Sequence, residues 1–249
     1  MAKHYSQGCW QRKHRRFIKL AHYASCMMMV ASGFTATAQA QFYAGESSPP
    51  LGYQLPHFDC STPTPLISGA GDSYPGHDKI IASNRLAMPA GKAVAAQGQI
   101  MYFMGRVLDK DCVPVKGAKL ELWQANASGK LKVATPAELA SPEPVFAGAG
   151  KTHSNNLGEY QFITVFPGVN GNRAPHLHLR ITHDEFPPIT TEVFFAQDRR
   201  NANDYKLRRF RDKLKERVTA RMMQAPGGSG ALVALFDVIL KGKSRFQQF

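Results

Sequence analysis

The chain has 249 residues, 43% of them apolar and 20% charged. That length supports a hydrophobic core without staples, and the composition excludes wholesale disorder and collagen-like repeats. Lysine and arginine total 31 against 18 acids, a formal charge of +13. Six of those bases (Lys3, Arg12, Lys13, Arg15, Arg16, Lys19) lie in the first forty residues, and without them the excess is +7, which removes about half the support for a nucleic-acid partner.

Residues 1–40 read as a secretory signal peptide. The basic stretch ends at Lys19, a mostly apolar run follows from Leu20 to Phe34, and Ala38-Gln39-Ala40 supplies small residues for cleavage. A membrane anchor is the competing reading. The run is short for a bilayer span and is interrupted by His22, Ser25 and Cys26, which favours the signal peptide. The expectation is an exported chain, periplasmic or secreted, starting near Gln41 and making no stable membrane insertion after cleavage. Cys60 and Cys112 are then the remaining cysteines. Export permits a disulfide between them, and two separate thiols is the alternative, since sequence does not show proximity.

Residues 41–95 are rich in Pro, Gly and Ser and poor in periodicity, so an irregular N-terminal arm is expected. A domain at 96–249 follows. Strand-like runs recur at 99–108, 118–125, 159–165, 175–182, 190–196 and 231–241, which makes the class all-β. Between the last two, Leu207, Phe210, Leu214 and Val218 fall on one stripe at helical spacing, with Lys and Arg covering the rest. The spacing predicts one amphipathic helix of about four turns near the C-terminus. Its basic face reads either as a polyanion patch or as a solvated face packed on a sheet. No aromatic residues interleave the bases, so the second reading is favoured and no nucleic-acid partner is expected.

The segment from Pro167 to Thr182 carries the chemistry. On a strand His176, His178 and Arg180 share one face, while Leu177, Leu179 and Ile181 share the other. Two imidazoles at this spacing can converge on one metal ion. By itself such a pair also describes two surface histidines.

Other segments add context. Gly105-Arg106-Val107-Leu108-Asp109 is followed by Leu120-Glu121-Leu122-Trp123-Gln124-Ala125-Asn126-Ala127-Ser128-Gly129. Gly158-Glu159-Tyr160 and Pro167-Gly168 come next, then Arg173 three residues before His176. Thr191-Glu192-Val193 and Phe236-Asp237-Val238 close the series. The succession resembles the intradiol ring-cleavage dioxygenases, especially the protocatechuate 3,4-dioxygenase branch, from about residue 60 to 243. The resemblance implies a β-sandwich core, non-haem ferric iron held by two His and two Tyr, and a catecholic aromatic whose ring is opened between its hydroxyl-bearing carbons. It places the two His at His176 and His178 and the active-site arginine at Arg173. Family members often assemble into oligomers.

The two ligand tyrosines are the departure. Their places hold Leu131 and Asn170. Tyr74 and Tyr160 would reach the site only by rearrangement. Glu192 offers a two-His-one-carboxylate set suited to Fe(II), Mn(II) or Zn(II), and Cu(II) would accept the two imidazoles. His153 is a further candidate, or a loop histidine at a turn. Three functional readings follow. One is an exported oxidoreductase of aromatic catabolism with an atypical metal shell. Another is a metal- or catechol-binding protein on the same scaffold that opens no ring. The third is a structural or surface-interaction protein that uses the basic helix.

Overall fold

Nine strands and one short α-helix are present in the computed structural model, which describes residues 59–132 and 143–244. The signal peptide expected at 1–40 and the first part of the arm lie outside these residues. The strands are β1 (Ile100–Leu108), β2 (Lys119–Gln124), β3 (Ala149–His153), β4 (Glu159–Val165), β5 (His176–His183), β6 (Phe186–Phe195), β7 (Thr219–Gln224), β8 (Leu232–Leu235) and β9 (Val238–Ile239). The helix α1 is Asp212–Glu216.

Eight strands form one path, β3-β2-β5-β6-β7-β8-β1-β4, with β9 beside β1. The pairs β6–β7, β1–β8 and β1–β9 are parallel and the others antiparallel. The path is nearly closed and makes a sandwich. One layer is β3-β2-β5-β6, the other β7-β8-β1-β4, and the β6–β7 pair joins them at two registered positions.

Period-two patterning builds the core between the layers. Leu177, Leu179 and Ile181 of β5 are at most 1% exposed and pack with Leu120 and Leu122 of β2 and Phe162 of β4. Phe103 of β1 stacks near Phe162 and Phe236 at 6.4 and 6.1 Å. Burying such side chains contributes about 1.5–3 kcal/mol each.

The β5 residues between those leucines point the other way, onto an outer face that would otherwise be wet. Two coil segments cover it. Ile67 and Ala70 of the arm, and Leu207 and Val218 of the basic segment, form a second apolar cluster with Ala174 and Phe194. The described part of the arm is irregular, with one 3-10 turn at His77–Lys79, and is pinned to the sheets by Leu86 N–H and Ala87 N–H donating to Ile163 O at 2.8 and 3.0 Å.

The basic segment corrects the expected helix. Leu207, Phe210 and Val218 of the apolar stripe do pack with Phe194 of the sheet, but the backbone is a 3-10 turn at Leu207–Arg209, an extended break at Phe210 and Arg211, and five residues of α1. Two causes are visible. Like charges three and four apart oppose a regular helix. Asp204 Oδ1 also accepts from Lys206 N–H and Leu207 N–H at 3.0 and 3.1 Å, which holds the chain in a tight local turn.

Two other sequence expectations shift. β3 and β7 are absent from the expected strands, because Ala-Gly-Lys-Thr-His and Thr-Ala-Arg-Met-Met-Gln lack clear alternation of apolar residues. The run at 231–241 divides into β8 and β9. At the break Phe236 O lies so near β1 that a Cβ on Gly105 would meet it at 1.8 Å, and Asp237 accepts from Arg106 N–H and Nη2 at 2.8 and 2.9 Å.

Candidate metal and ligand site

Strand register sets the site. His178 on β5 lies opposite Trp123 on β2 and Glu192 on β6, and His176 lies opposite Phe194. This row is on the outer face, beneath the two covering segments. The Trp123 ring lies parallel to His178, with centroids 5.1 Å apart and planes 8° apart, and the two imidazoles meet edge-on at 4.8 Å.

Each imidazole is fixed by a backbone carbonyl. His176 Nδ1 lies 2.7 Å from Ala174 O, and His178 Nδ1 lies 2.9 Å from Ala70 O. A carbonyl oxygen only accepts, so both rings carry hydrogen on Nδ1 and keep the lone pair on Nε2, which in His178 faces Ser73 Oγ at 3.4 Å. Such a partner is the usual support behind a metal-binding histidine. Burial lowers both pKa values, that of His178 to about 3, with His176 beside it adding to the effect. The rings are therefore neutral at physiological pH, as metal coordination requires.

Arg173 and Glu192 belong to a buried charge network. Arg173 Nη2 and Nη1 donate to the two Glu192 oxygens, the second at 3.3 Å, and Arg173 Nε donates to Asp204 Oδ2 at 2.8 Å. Lys206 Nζ donates to Glu192 Oε1 at 2.6 Å. Burial alone would raise the Glu192 pKa, but the Arg173 hydrogen bonds and nearby charges hold it below the ordinary carboxylate range. One ligand atom from each of His176, His178 and Glu192 lies within 4.8 Å of the others. Glu192 Oε1 lies 3.9 Å from His178 Nδ1, on the side of the ring away from Nε2.

Both histidines open onto a cavity of about 220 Å³. Leu131, Asn170 and Arg173 line it, together with Asp72, Ser73, Tyr205 and Lys206, which the sequence did not single out. Ser73 Oγ accepts from Trp123 Nε1 at 3.0 Å and lies 3.4 Å from His178 Nε2. Asn170 Nδ2 donates to Gly129 O at 2.9 Å. Tyr205 is half exposed, with its ring 5.1 Å from the Arg173 guanidinium. Ser73 sits in a Gly- and Asp-rich stretch that reads as mere loop. Tyr205 was legible only as one of several tyrosines.

Other residues lie elsewhere. Tyr160 is buried in the core and donates to Phe236 O at 2.6 Å. Tyr74 packs on the far side of the row, 5.2 Å from Trp123, with its hydroxyl 2.8 Å from His77 Nδ1. His153 is exposed at the end of β3, paired in register with Lys119. Cys60 and Cys112 form a disulfide beside Leu108 and Ile239.

The donor set fits a borderline divalent ion better than a ferric ion, for which Tyr205 is the one phenol on the cavity wall among the described residues. Two neutral imidazoles with oriented Nε2 atoms suit Cu(II), Zn(II) or a similar cation. Ferric iron needs hard anionic donors. The cavity wall presents a leucine and an amide at 131 and 170, and the Glu192 oxygens are taken by Arg173 and Lys206.

Comparison with known proteins gives the following. The family model described as Dioxygenase matches residues 76–242. The protocatechuate 3,4-dioxygenase beta chain of Burkholderia cepacia is 30% identical over 155 residues, covering 59% of this chain and 66% of that one. Hydroxyquinol 1,2-dioxygenase of Rhizobium sp. is 27% identical over 150 residues, covering 53% and 50%. The chain thus spans less than two thirds of the length of these relatives. Among solved structures, the dioxygenase domain of a dioxygenase–carbohydrate-binding fusion from Streptomyces sp. SirexAA-E matches with a TM-score of 0.55. That match covers 73% of this chain and 100% of that one at 21% identity, which shows a shared fold.

Proposed function

The chain belongs to the intradiol ring-cleavage dioxygenase family, and on that premise we propose that it is an exported protein that binds a catecholic diol at a divalent metal held by His176 and His178. The family uses non-haem Fe(III) and binds catecholic substrates. One observation carries the different reading for this member. Two buried imidazoles, each anchored through Nδ1, turn Nε2 to a small cavity whose ferric-ligand positions hold Leu131 and Asn170. A metal bound there supplies a Lewis acid for the two diol oxygens. The protein's own residues orient the imidazoles, keep them neutral and wall off solvent. Glu192 serves as the charge partner that fixes Arg173 and Lys206, not as a third ligand. The Cys60–Cys112 disulfide supports export, since such bonds persist in oxidising compartments.

Ring cleavage is the second reading, and one observation favours it. Tyr205 lines the same cavity and is the only tyrosine among the described residues to do so. A phenolate from the 198–207 segment would supply one hard donor.

Elemental analysis and a visible spectrum of the purified protein decide between the two. The expected result is near-stoichiometric copper, zinc or manganese, at least tenfold lower occupancy in His176→Ala and in His178→Ala, and no oxygen uptake with catechol. Stoichiometric iron with catechol-dependent oxygen uptake, and a visible band lost in Tyr205→Phe, would overturn it in favour of ring cleavage. Unchanged metal occupancy in both histidine variants would overturn the site itself.

A further inference from the structure

The cations that line the cavity are already matched by buried anions. Arg173 and Lys206 have side chains only 13% exposed, and their partners Glu192 and Asp204 have side chains fully buried. Arg173 gives Nε to one carboxylate and both terminal nitrogens to the other, while Phe194 and Tyr205 approach its guanidinium at 5.9 and 5.1 Å. Lys206 Nζ is held at 2.6 Å. Two cations and two anions thus cancel within the wall, and freeing either cation would leave a buried carboxylate short of its partner, which is strongly unfavourable.

One charge is left over. Asp72 lines the cavity, is exposed, and has no ion-pair partner among the described residues. Its Oδ2 and Lys206 Nζ approach the same point, 2.7 and 3.3 Å from where a Gly69 Cβ would stand, so the carboxylate sits at the rim beside the network. Arg209 is a further charge outside the mouth, 5.9 Å from the Tyr205 ring, and does not line the cavity. A diol chelating the metal places its two oxygens at the histidines, and its ring substituent then points to the rest of the small cavity. Counted with Glu192 and Asp204, which pair Arg173 and Lys206 from behind the wall, that remainder carries one unmatched negative charge, Asp72.

We propose that the cavity selects diols with uncharged or ammonium-bearing substituents and excludes carboxylate-bearing ones, with Asp72 as the specificity-determining residue. This rests on the metal–diol reading above and adds the substrate class to it. With the metal's charge met by the two diol oxygens and Arg173 and Lys206 already paired, a carboxylate substituent would meet Asp72, whereas an ammonium would gain a partner. Like charges a few ångströms apart in a half-enclosed site are worth about tenfold or more in affinity.

The experiment is calorimetric titration of the metal-loaded full chain with three probes: catechol, 3,4-dihydroxybenzoate and protonated 3,4-dihydroxyphenethylamine. The expected order is amine at least equal to catechol, and carboxylate about tenfold weaker or worse. In Asp72→Asn the spread between amine and carboxylate should shrink by about tenfold. Asp72 is exposed, so the variant should fold. Carboxylate binding as tight as catechol, or an unchanged spread in Asp72→Asn, overturns the charge selection while leaving the metal–diol reading in place. Failure of all three probes to bind metal-loaded protein overturns that reading and the selectivity with it.

Discussion

His178 is confined on every side that matters to its chemistry. Trp123 lies flat against its ring, Ala70 O takes the Nδ1 hydrogen, and His176 stands edge-on. The surroundings are too dry to charge it, so its native pKa falls to about 3 from 6.5. The sign of the consequence is set by proton uptake. Between these values the unfolded chain binds a proton that the native protein refuses, so stability rises with pH across the window. The contribution is complete above 6.5 and is lost as pH falls towards 3. His176 shifts in the same direction. The thermal midpoint of metal-free protein should therefore drop steadily as pH is lowered from 6.5, and the slope should be shallower in His178→Ala. A flat midpoint over that range would contradict burial of a neutral imidazole. The histidine pair was legible because a two-residue spacing needs only strand geometry to put both rings on one face. Asp72, Ser73, Tyr205 and Lys206 were not legible as site residues, because loops bring them to the cavity and no local period marks them.

The strands divide into those with a pattern and those with a partner. β5 alternates core leucines with polar residues, so its faces follow from the period of the pleat. β3 shows no such alternation, yet it pairs with β2 over five registered positions. Its Gly150 allows close approach of the arm, since a Cβ there would come within 2.3 Å of Ser83 O. The basic segment is the opposite case. Its apolar stripe has helical spacing and does pack on the sheet, but Asp204 and the pull of Glu192 on Lys206 bend the backbone into short turns. Tertiary pairing outweighs a propensity worth only tenths of a kcal/mol per residue. The break between β8 and β9 gives a prediction at this scale. Gly105 lets Phe236 O pack against β1, so Gly105→Ala should destabilise the protein by about 3 kcal/mol, read as a lower urea midpoint. An unchanged midpoint would mean that the break can relax without loss.

Across the molecule, the arm and the basic segment give a sandwich with one wet face a further apolar cluster outside its main core. The described residues belong to one compact unit, and no helix among them is long and apolar enough to cross a membrane. The disulfide ties the arm near Cys60 to the turn after β1, across a separation of 52 residues and a Cα distance of 5.4 Å. Closing a loop of that length restricts the unfolded chain by about 4 kcal/mol on the chain-entropy account. Reduction, or Cys60→Ser with Cys112→Ser, should lower the unfolding free energy by roughly that amount. A loss well under about 1 kcal/mol would show that the arm is held by its own packing.

The class of fold, the family and the cavity-facing histidine pair were all legible along the chain. All three depend on local period and on motifs read in order along the chain. The sequence also showed that the two expected ferric-ligand positions supply no phenolate, because Leu131 and Asn170 occupy them. What surrounds those histidines follows from packing between distant segments. Register across β2, β5 and β6 set Trp123 and Glu192 beside His178, and the covering segments delivered Asp72, Ser73, Tyr205 and Lys206. The same packing matches Arg173 with Glu192 and Asp204. Residues nineteen and thirty-one positions apart are brought within hydrogen-bonding distance there. Charge neutralisation depends on distances of a few ångströms, and separation along the chain does not encode them.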